Sequence, residues 1–170
     1  MFNKFTTAGL SHPAQGSAEF NGTSDFINVD PAPVSSESAL TISCWVNTTN
    51  LTTRGLVSKG TSGASDFVLF GSLSPYKIGI FLQTTTGNSG NVYSTTTLND
   101  GNWHFMTASW DGSNVRLYVD GSLENSAAVT GTLNNTENNL YIGAYSDNRF
   151  YLDGNLANVA IWNRALTSDE

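Results

Sequence analysis

Trp103-His104-Phe105-Met106-Thr107-Ala108-Ser109-Trp110-Asp111-Gly112-Ser113-Asn114-Val115-Arg116-Leu117-Tyr118-Val119-Asp120-Gly121 is the stretch that decides the fold class. Val115, Leu117 and Val119 recur at period two, so one side of this segment faces a core and the other faces water. Asp111-Gly112 and Asp120-Gly121 bracket it, and each supplies the positive φ angles that a tight reversal demands. The reading is a three-strand meander: Trp103–Trp110, Val115–Val119, then Leu123–Val129.

Working outward, the same period recurs. In Thr41–Asn47, Ile42, Cys44 and Val46 share one face while Ser43 and Trp45 share the other; Ile78, Ile80 and Leu82 align in Lys77–Gln83. Asp25–Val29, Phe67–Gly71, Leu140–Ala144 and Leu156–Trp162 bring the expected strands to eight or more. No helical periodicity outlasts a turn. Short strands joined by polar turns predict an all-β chain: a two-sheet antiparallel jelly-roll sandwich. A length of 170 residues fits one such domain.

Composition narrows the function. The formal net charge is -7 and the seven cations are scattered, a surface that repels polyphosphate, so nucleic acid and anionic membrane are poor partners. No apolar run approaches the roughly 20 residues of a membrane helix. Cys44 is the only cysteine, which leaves no internal disulfide, and its alternation with Ile42 and Val46 predicts a buried, inert thiol. Met1–Gly16 lacks the continuous apolar core of a signal peptide before Pro13. Either the chain starts where a signal was removed and a Met added, or it reaches its destination without the secretory route. Thr167-Ser168-Asp169-Glu170 has capping-box spacing, read as a frayed turn or as the opening of a continuation outside the sequence.

Three segments, in order, resemble the laminin-G and pentraxin branch of the concanavalin-A-like sandwiches. The first is Phe20-Asn21-Gly22-Thr23-Ser24-Asp25-Phe26-Ile27-Asn28-Val29 with Leu40-Thr41-Ile42-Ser43-Cys44-Trp45-Val46. The second runs from Trp103-His104-Phe105 through Trp110-Asp111-Gly112 to Leu117-Tyr118-Val119-Asp120-Gly121. The third runs from Tyr141-Ile142-Gly143 past Gly154 to Val159-Ala160-Ile161-Trp162-Asn163-Arg164-Ala165-Leu166. The match divides the chain into a sandwich over residues 20–170 and an N-terminal arm, residues 1–19, that packs on a partner.

The resemblance implies a calcium site between Ala64-Ser65-Asp66-Phe67 and Ala144-Tyr145-Ser146-Asp147-Asn148, with Asp66 and Asp147 as its carboxylates. Tyr145 and Ser146 stand where pentraxins offer further ligands, and the alternative is two solvated turn aspartates. Asn21 and Asp25 lie on a loop that the fold can bring near the closing strand. Ala157 and Asn158, however, replace the acidic pair that related domains carry there.

The same superfamily includes β-glucanases, whose retaining chemistry needs paired carboxylates in an E-x-D-x-x-E strand motif. Glu19, Glu37, Glu124, Glu137 and Glu170 are isolated from one another, and none fits it. His104 alternates with Met106, Ala108 and Trp110 and reads as a packed, hydrogen-bonded histidine rather than a general base. No nucleophile elbow or phosphate loop occurs. The chain is therefore read as no enzyme.

Binding is better supported. Tyr145, Asn148, Arg149 and Tyr151, with Phe150 among them, are the candidate ligand contacts, since aromatic and Arg side chains anchor interfaces. Tyr76 and Tyr93 flank other turns, while Trp45, Trp103, Trp110 and Trp162 are assigned to the core. The expected function is a non-catalytic adhesion module that presents loops to a glycan or protein surface outside the cell. The alternative is a virion structural protein, a phage capsid decoration or tail component, whose arm anchors Phe2, Phe5 and Leu10 on a neighbouring subunit. A glycoside hydrolase ranks last. An edge strand could also pair two copies into a homo-oligomer, though nothing in the sequence says which edge.

Overall fold

Asp-Gly turns and alternating apolar runs do become antiparallel strands. The computed structural model describes residues 16–34, 36–61, 64–71, 76–87, 89–136, 139–145 and 149–170. The strands are β1 (Ala18–Asn21), β2 (Ile27–Val29), β3 (Leu40–Asn50), β4 (Arg54–Thr61), β5 (Ala64–Gly71), β6 (Ile78–Gln83), β7 (Ser89–Tyr93), β8 (Trp103–Trp110), β9 (Asn114–Val119), β10 (Ser122–Ala128), β11 (Leu140–Ile142) and β12 (Asp153–Trp162). They form two six-stranded sheets, ordered β1-β12-β3-β8-β9-β10 and β2-β11-β4-β5-β6-β7. Every pairing is antiparallel, and the meander read from the sequence is the β8-β9-β10 end of the first sheet.

The core lies between the sheets. Ile42, Cys44 and Val46 of β3 enter it with Val115, Leu117 and Val119 of β9, against Leu69 and Ile80 of the second sheet. Burial pushes the Cys44 thiol up to about 12, so it is protonated and unreactive at neutral pH. Trp110 is 1% exposed, and its indole Nε1 donates to the Val129 carbonyl at 2.7 Å.

Two other tryptophans correct the core assignment. Trp103 and Trp162 are only half-buried. Trp103 pairs with Asn47 and Trp162 with Thr41, on the strand positions that alternate away from Ile42 and Val46, so both face outward. Trp45 shares that outer face, where its ring lies 5.3 Å from that of its cross-strand partner Phe105. It is nonetheless 6% exposed.

The domain boundary also moves. Ala18 and Glu19 pair with Leu156 and Asn155, so the sandwich begins two residues inside the stretch read as an arm. Residues 1–15 lie outside the described residues. The sequence reading passed over β4 because a register shift between Gly55 and Val57 buries Leu56 and Val57 in succession and breaks the alternation.

Polar side chains tie the edges. Glu124 of β10 accepts hydrogen bonds from the Thr95 amide (2.7 Å), the Thr96 amide (2.9 Å), the Thr96 hydroxyl (2.9 Å) and the Thr95 hydroxyl. Asn125 Nδ2 donates to the Tyr93 carbonyl at 3.1 Å, joining edge strand β10 to edge strand β7. His104 lies between two carboxylates, with Nδ1 2.8 Å from Asp120 Oδ2 and Nε2 3.2 Å from Asp100 Oδ1. Asp120 Oδ1 also accepts the Phe105 amide at 2.8 Å, so the Trp-His and Asp-Gly motifs lock together through one carboxylate.

This clamp has a pH signature. Burial is the largest influence on His104 and lowers its pKa, but hydrogen bonds and charge from Asp120 and Asp100 outweigh it and raise the net value above 6.5. A group whose folded pKa is raised contributes stability that is complete below the unfolded value, about 6.5 for histidine, and is lost as pH rises through the folded value. The melting-temperature advantage of the wild type over His104→Gln is therefore expected to shrink as pH rises above 6.5. A constant difference from pH 5.5 to 8.5 would show that the charge on His104 is irrelevant.

Candidate binding rim

One end of the sandwich gathers three loops: residues 22–26 after β1, 51–53 between β3 and β4, and the β11–β12 connection. The last of these lies directly on the start of β4. Gly143 N donates to Leu56 O (2.9 Å), Gly55 N to Phe150 O (2.9 Å), Leu152 N to Gly143 O (2.8 Å) and Tyr145 N to Arg149 O (3.0 Å). Such closeness requires glycine underneath. A Cβ on Gly55 would sit 2.0 Å from Tyr145 N, and one on Gly143, whose φ is +82°, would sit 2.1 Å from the Phe20 ring. The Phe-Asn-Gly and Tyr-Ile-Gly segments thus meet face to face.

Asn21 organises the first loop. Its Oδ1 accepts the amides of Thr23 (2.9 Å), Ser24 (2.9 Å) and Asp25 (3.2 Å) and the Thr23 hydroxyl (3.0 Å). Arg54 joins this loop to the β11–β12 connection, donating through one nitrogen to Gly22 O at 3.2 Å and Tyr151 O at 2.9 Å. Asn50 Nδ2 reaches Asp153 Oδ2 at 3.3 Å. Arg54 and Phe26 were not singled out as site residues from the sequence. A lone Arg at the start of a strand gives no sign that its targets are carbonyls 32 and 97 residues away.

The aromatics stand in two groups. Phe26 packs against Tyr141 (5.9 Å between centroids) and Tyr151 (6.1 Å). Tyr145 meets Phe150 edge-on at 5.8 Å and 86°. Phe150 is 45% exposed and holds φ at +54°, a left-handed conformation that is an outlier for a bulky side chain. Tyr76, just before β6 at the same end, is 42% exposed with φ +59°.

Of the candidate ligand contacts, Tyr145 and Arg149 are brought together through an antiparallel bridge, and Tyr151 follows on the same loop, half-buried against Phe26. Asn148 and Asp147 lie outside the described residues. Asp66 is 1% exposed and in ion contact with Lys59, itself 2% exposed. Gly55, under Tyr145, is four residues from Lys59 along β4, about 13 Å at the rise of an extended strand. Ser58, the neighbour of Lys59, donates its hydroxyl to the Ala144 carbonyl at 3.1 Å, so the described flank of the loop reaches the residue beside Lys59.

The Asp66 environment does not fit calcium. The ion requires six to eight oxygens, and here an ammonium already neutralises the carboxylate. No group of three or more His, Cys, Asp or Glu side chains among the described residues could hold a metal ion. Among those residues, too, no helix is long and apolar enough to cross a membrane.

Two antiparallel sheets with a loop-built aromatic rim define a jelly-roll sandwich of the lectin type. The chain belongs to the concanavalin A-like lectin/glucanases superfamily, whose family profile matches residues 21–170. A comparison with curated proteins found no match. Among solved structures, the chain is similar to a heptameric SAP-like pentraxin from Limulus polyphemus (TM-score 0.70, 17% identity, covering 89% of this chain and 77% of that one). It is also similar to the CBM40 module of the Ruminococcus gnavus IT-sialidase bound to α2,3-sialyllactose (TM-score 0.67, 16% identity, 90% and 94%). A third is the LG4-5 domain pair of the mouse laminin α1 chain (TM-score 0.67, 16% identity, 94% and 45%).

Proposed function

We propose that this chain is a non-catalytic glycan-binding module acting outside the cell, with Phe150, Tyr145 and Arg149 as its sugar-facing ledge. The observation that carries the reading is Phe150, a large apolar ring held at the surface on a left-handed backbone and braced edge-on by Tyr145. Strained positions of this kind concentrate at ligand sites. An exposed aromatic ring next in sequence to Arg149, at the end of the sandwich that also holds the Asp153 carboxylate and the Asn50 amide, suits a sugar ring's apolar face and hydroxyls. The complex of the sialidase module with sialyllactose supports the same ligand class.

Tyr76 extends the surface. β6, whose start Tyr76 precedes, lies two strands, about 10 Å, from β4, against whose start Phe150 is held. That distance exceeds one sugar ring and favours an oligosaccharide. Catalysis is disfavoured because none of the five glutamates fits the paired-carboxylate motif of the glucanases. The particle-bound alternative rests on an arm that falls almost entirely outside the described residues.

The test is glycan-array retention by the wild type and by Phe150→Ala, with melting curves as a folding control. Loss of a central aromatic anchor is expected to weaken retention about tenfold or more, with little change in melting temperature. Equal retention by both proteins, or no retention of any glycan by the wild type, would refute the assignment.

A further inference from the structure

Lys59 and Asp66 are the charged side chains that the fold buries among the described residues, at 2% and 1% exposure. Lys59 Nζ donates to Asp66 Oδ2 across the β4–β5 pair. The corner is otherwise lined by unspent oxygen. Asp66 Oδ1 and the hydroxyl of Thr136 are buried without a hydrogen-bond partner among the described residues, and the Thr136 amide is 3.5 Å from Asp66 Oδ2.

A carboxylate removed from water must be neutralised or protonated, and burying it beside unpaired oxygens makes the demand for a cation stronger. An ammonium has three donors and no acceptor, so it satisfies the charge of Asp66 while leaving Oδ1 and the Thr136 oxygen available. Hard divalent cations take oxygen ligands of this type. We propose that Lys59 is a tethered substitute for a metal ion: its ammonium stands where a cation has to stand to neutralise Asp66. This end of the sandwich is thereby independent of calcium. The inference stands apart from the glycan reading, since it concerns the opposite end of β4.

Truncating Lys59 converts the corner into a site for a free cation. The experiment compares melting temperatures of the wild type, Lys59→Ala and Lys59→Ala/Asp66→Asn in chelator and in millimolar CaCl2. Lys59→Ala is expected to melt well below wild type in chelator and to gain about 5 °C or more with calcium. The wild type and the double variant, which has no charge left to neutralise, are expected to gain less. Any calcium site elsewhere shifts all three alike and cancels from the comparison. The proposal is overturned if calcium shifts Lys59→Ala no more than the other two, or if that variant fails to fold with and without the ion.

Discussion

Replacing Gly55 with alanine is expected to dislodge the β11–β12 loop from the sheet and to destabilise the domain by about 3 kcal/mol. The added Cβ would lie 2.0 Å from Tyr145 N, 2.1 Å from Ala144 C and 2.3 Å from Ala144 O. These are backbone atoms, so no side-chain rotation relieves the collision. The loop is the part able to yield, but moving it breaks the Gly55 N to Phe150 O bond (2.9 Å) and displaces the ring on which glycan binding is proposed to depend. Gly55→Ala should therefore lose glycan retention together with stability, whereas Phe150→Ala should lose retention alone. Gly87→Ala is the matched control: its φ is +75° and nothing lies within 4 Å, so it carries only a conformational cost of about 1 kcal/mol. Urea unfolding of the two glycine variants checks this. Equal destabilisation would mean that the loop is not seated on Gly55.

Trp110→Ala should cost about 3 to 5 kcal/mol, the range for deleting a large buried ring. Trp110 is 1% exposed in the two-sheet core, and its indole ties Val129 to the sheet at 2.7 Å. Trp110→Phe separates the two contributions: it keeps most of the packing and leaves the Val129 carbonyl without its donor, a loss of about 1 to 3 kcal/mol. Trp110 is at the far end of β8 from the rim, and Trp103 at the near end. Ligand affinity of the folded fraction should accordingly match wild type for both variants. Urea denaturation followed by tryptophan fluorescence gives the stabilities, and Trp110→Ala within 1 kcal/mol of wild type would contradict the role assigned to it.

Much of the architecture was legible. Alternation in Thr41–Asn47 separated Ile42, Cys44 and Val46 from Ser43 and Trp45, and the sheet keeps that division. The same rule, carried across to β8 and β12, places Trp103 and Trp162 outside; assigning them to the core because they lie within strands was the error. β4 was hidden because its bulge and its buried Lys59 imitate a polar turn. The rim was half legible. Tyr145, Arg149, Phe150 and Tyr151 cluster in sequence, but nothing local marks Gly55 or Arg54 as their support.

By itself the sequence determined what depends on neighbours: period-two burial, Asp-Gly reversals, a single inert cysteine and the absence of a catalytic carboxylate motif. These follow from the geometry of a pleated strand and the sterics of a turn, which act over a few residues. Only the tertiary structure decided which end of the sandwich each loop occupies. Asp66 and the Ala144–Asn148 segment look alike as acidic loop segments. In the fold β4 runs from Gly55 beneath Tyr145, past Ser58, whose hydroxyl donates to the Ala144 carbonyl at 3.1 Å, to Lys59 beside Asp66. Strand order sets that placement, and strand order is fixed by pairings between residues as distant in the chain as Lys59 and Leu140, which no local pattern encodes.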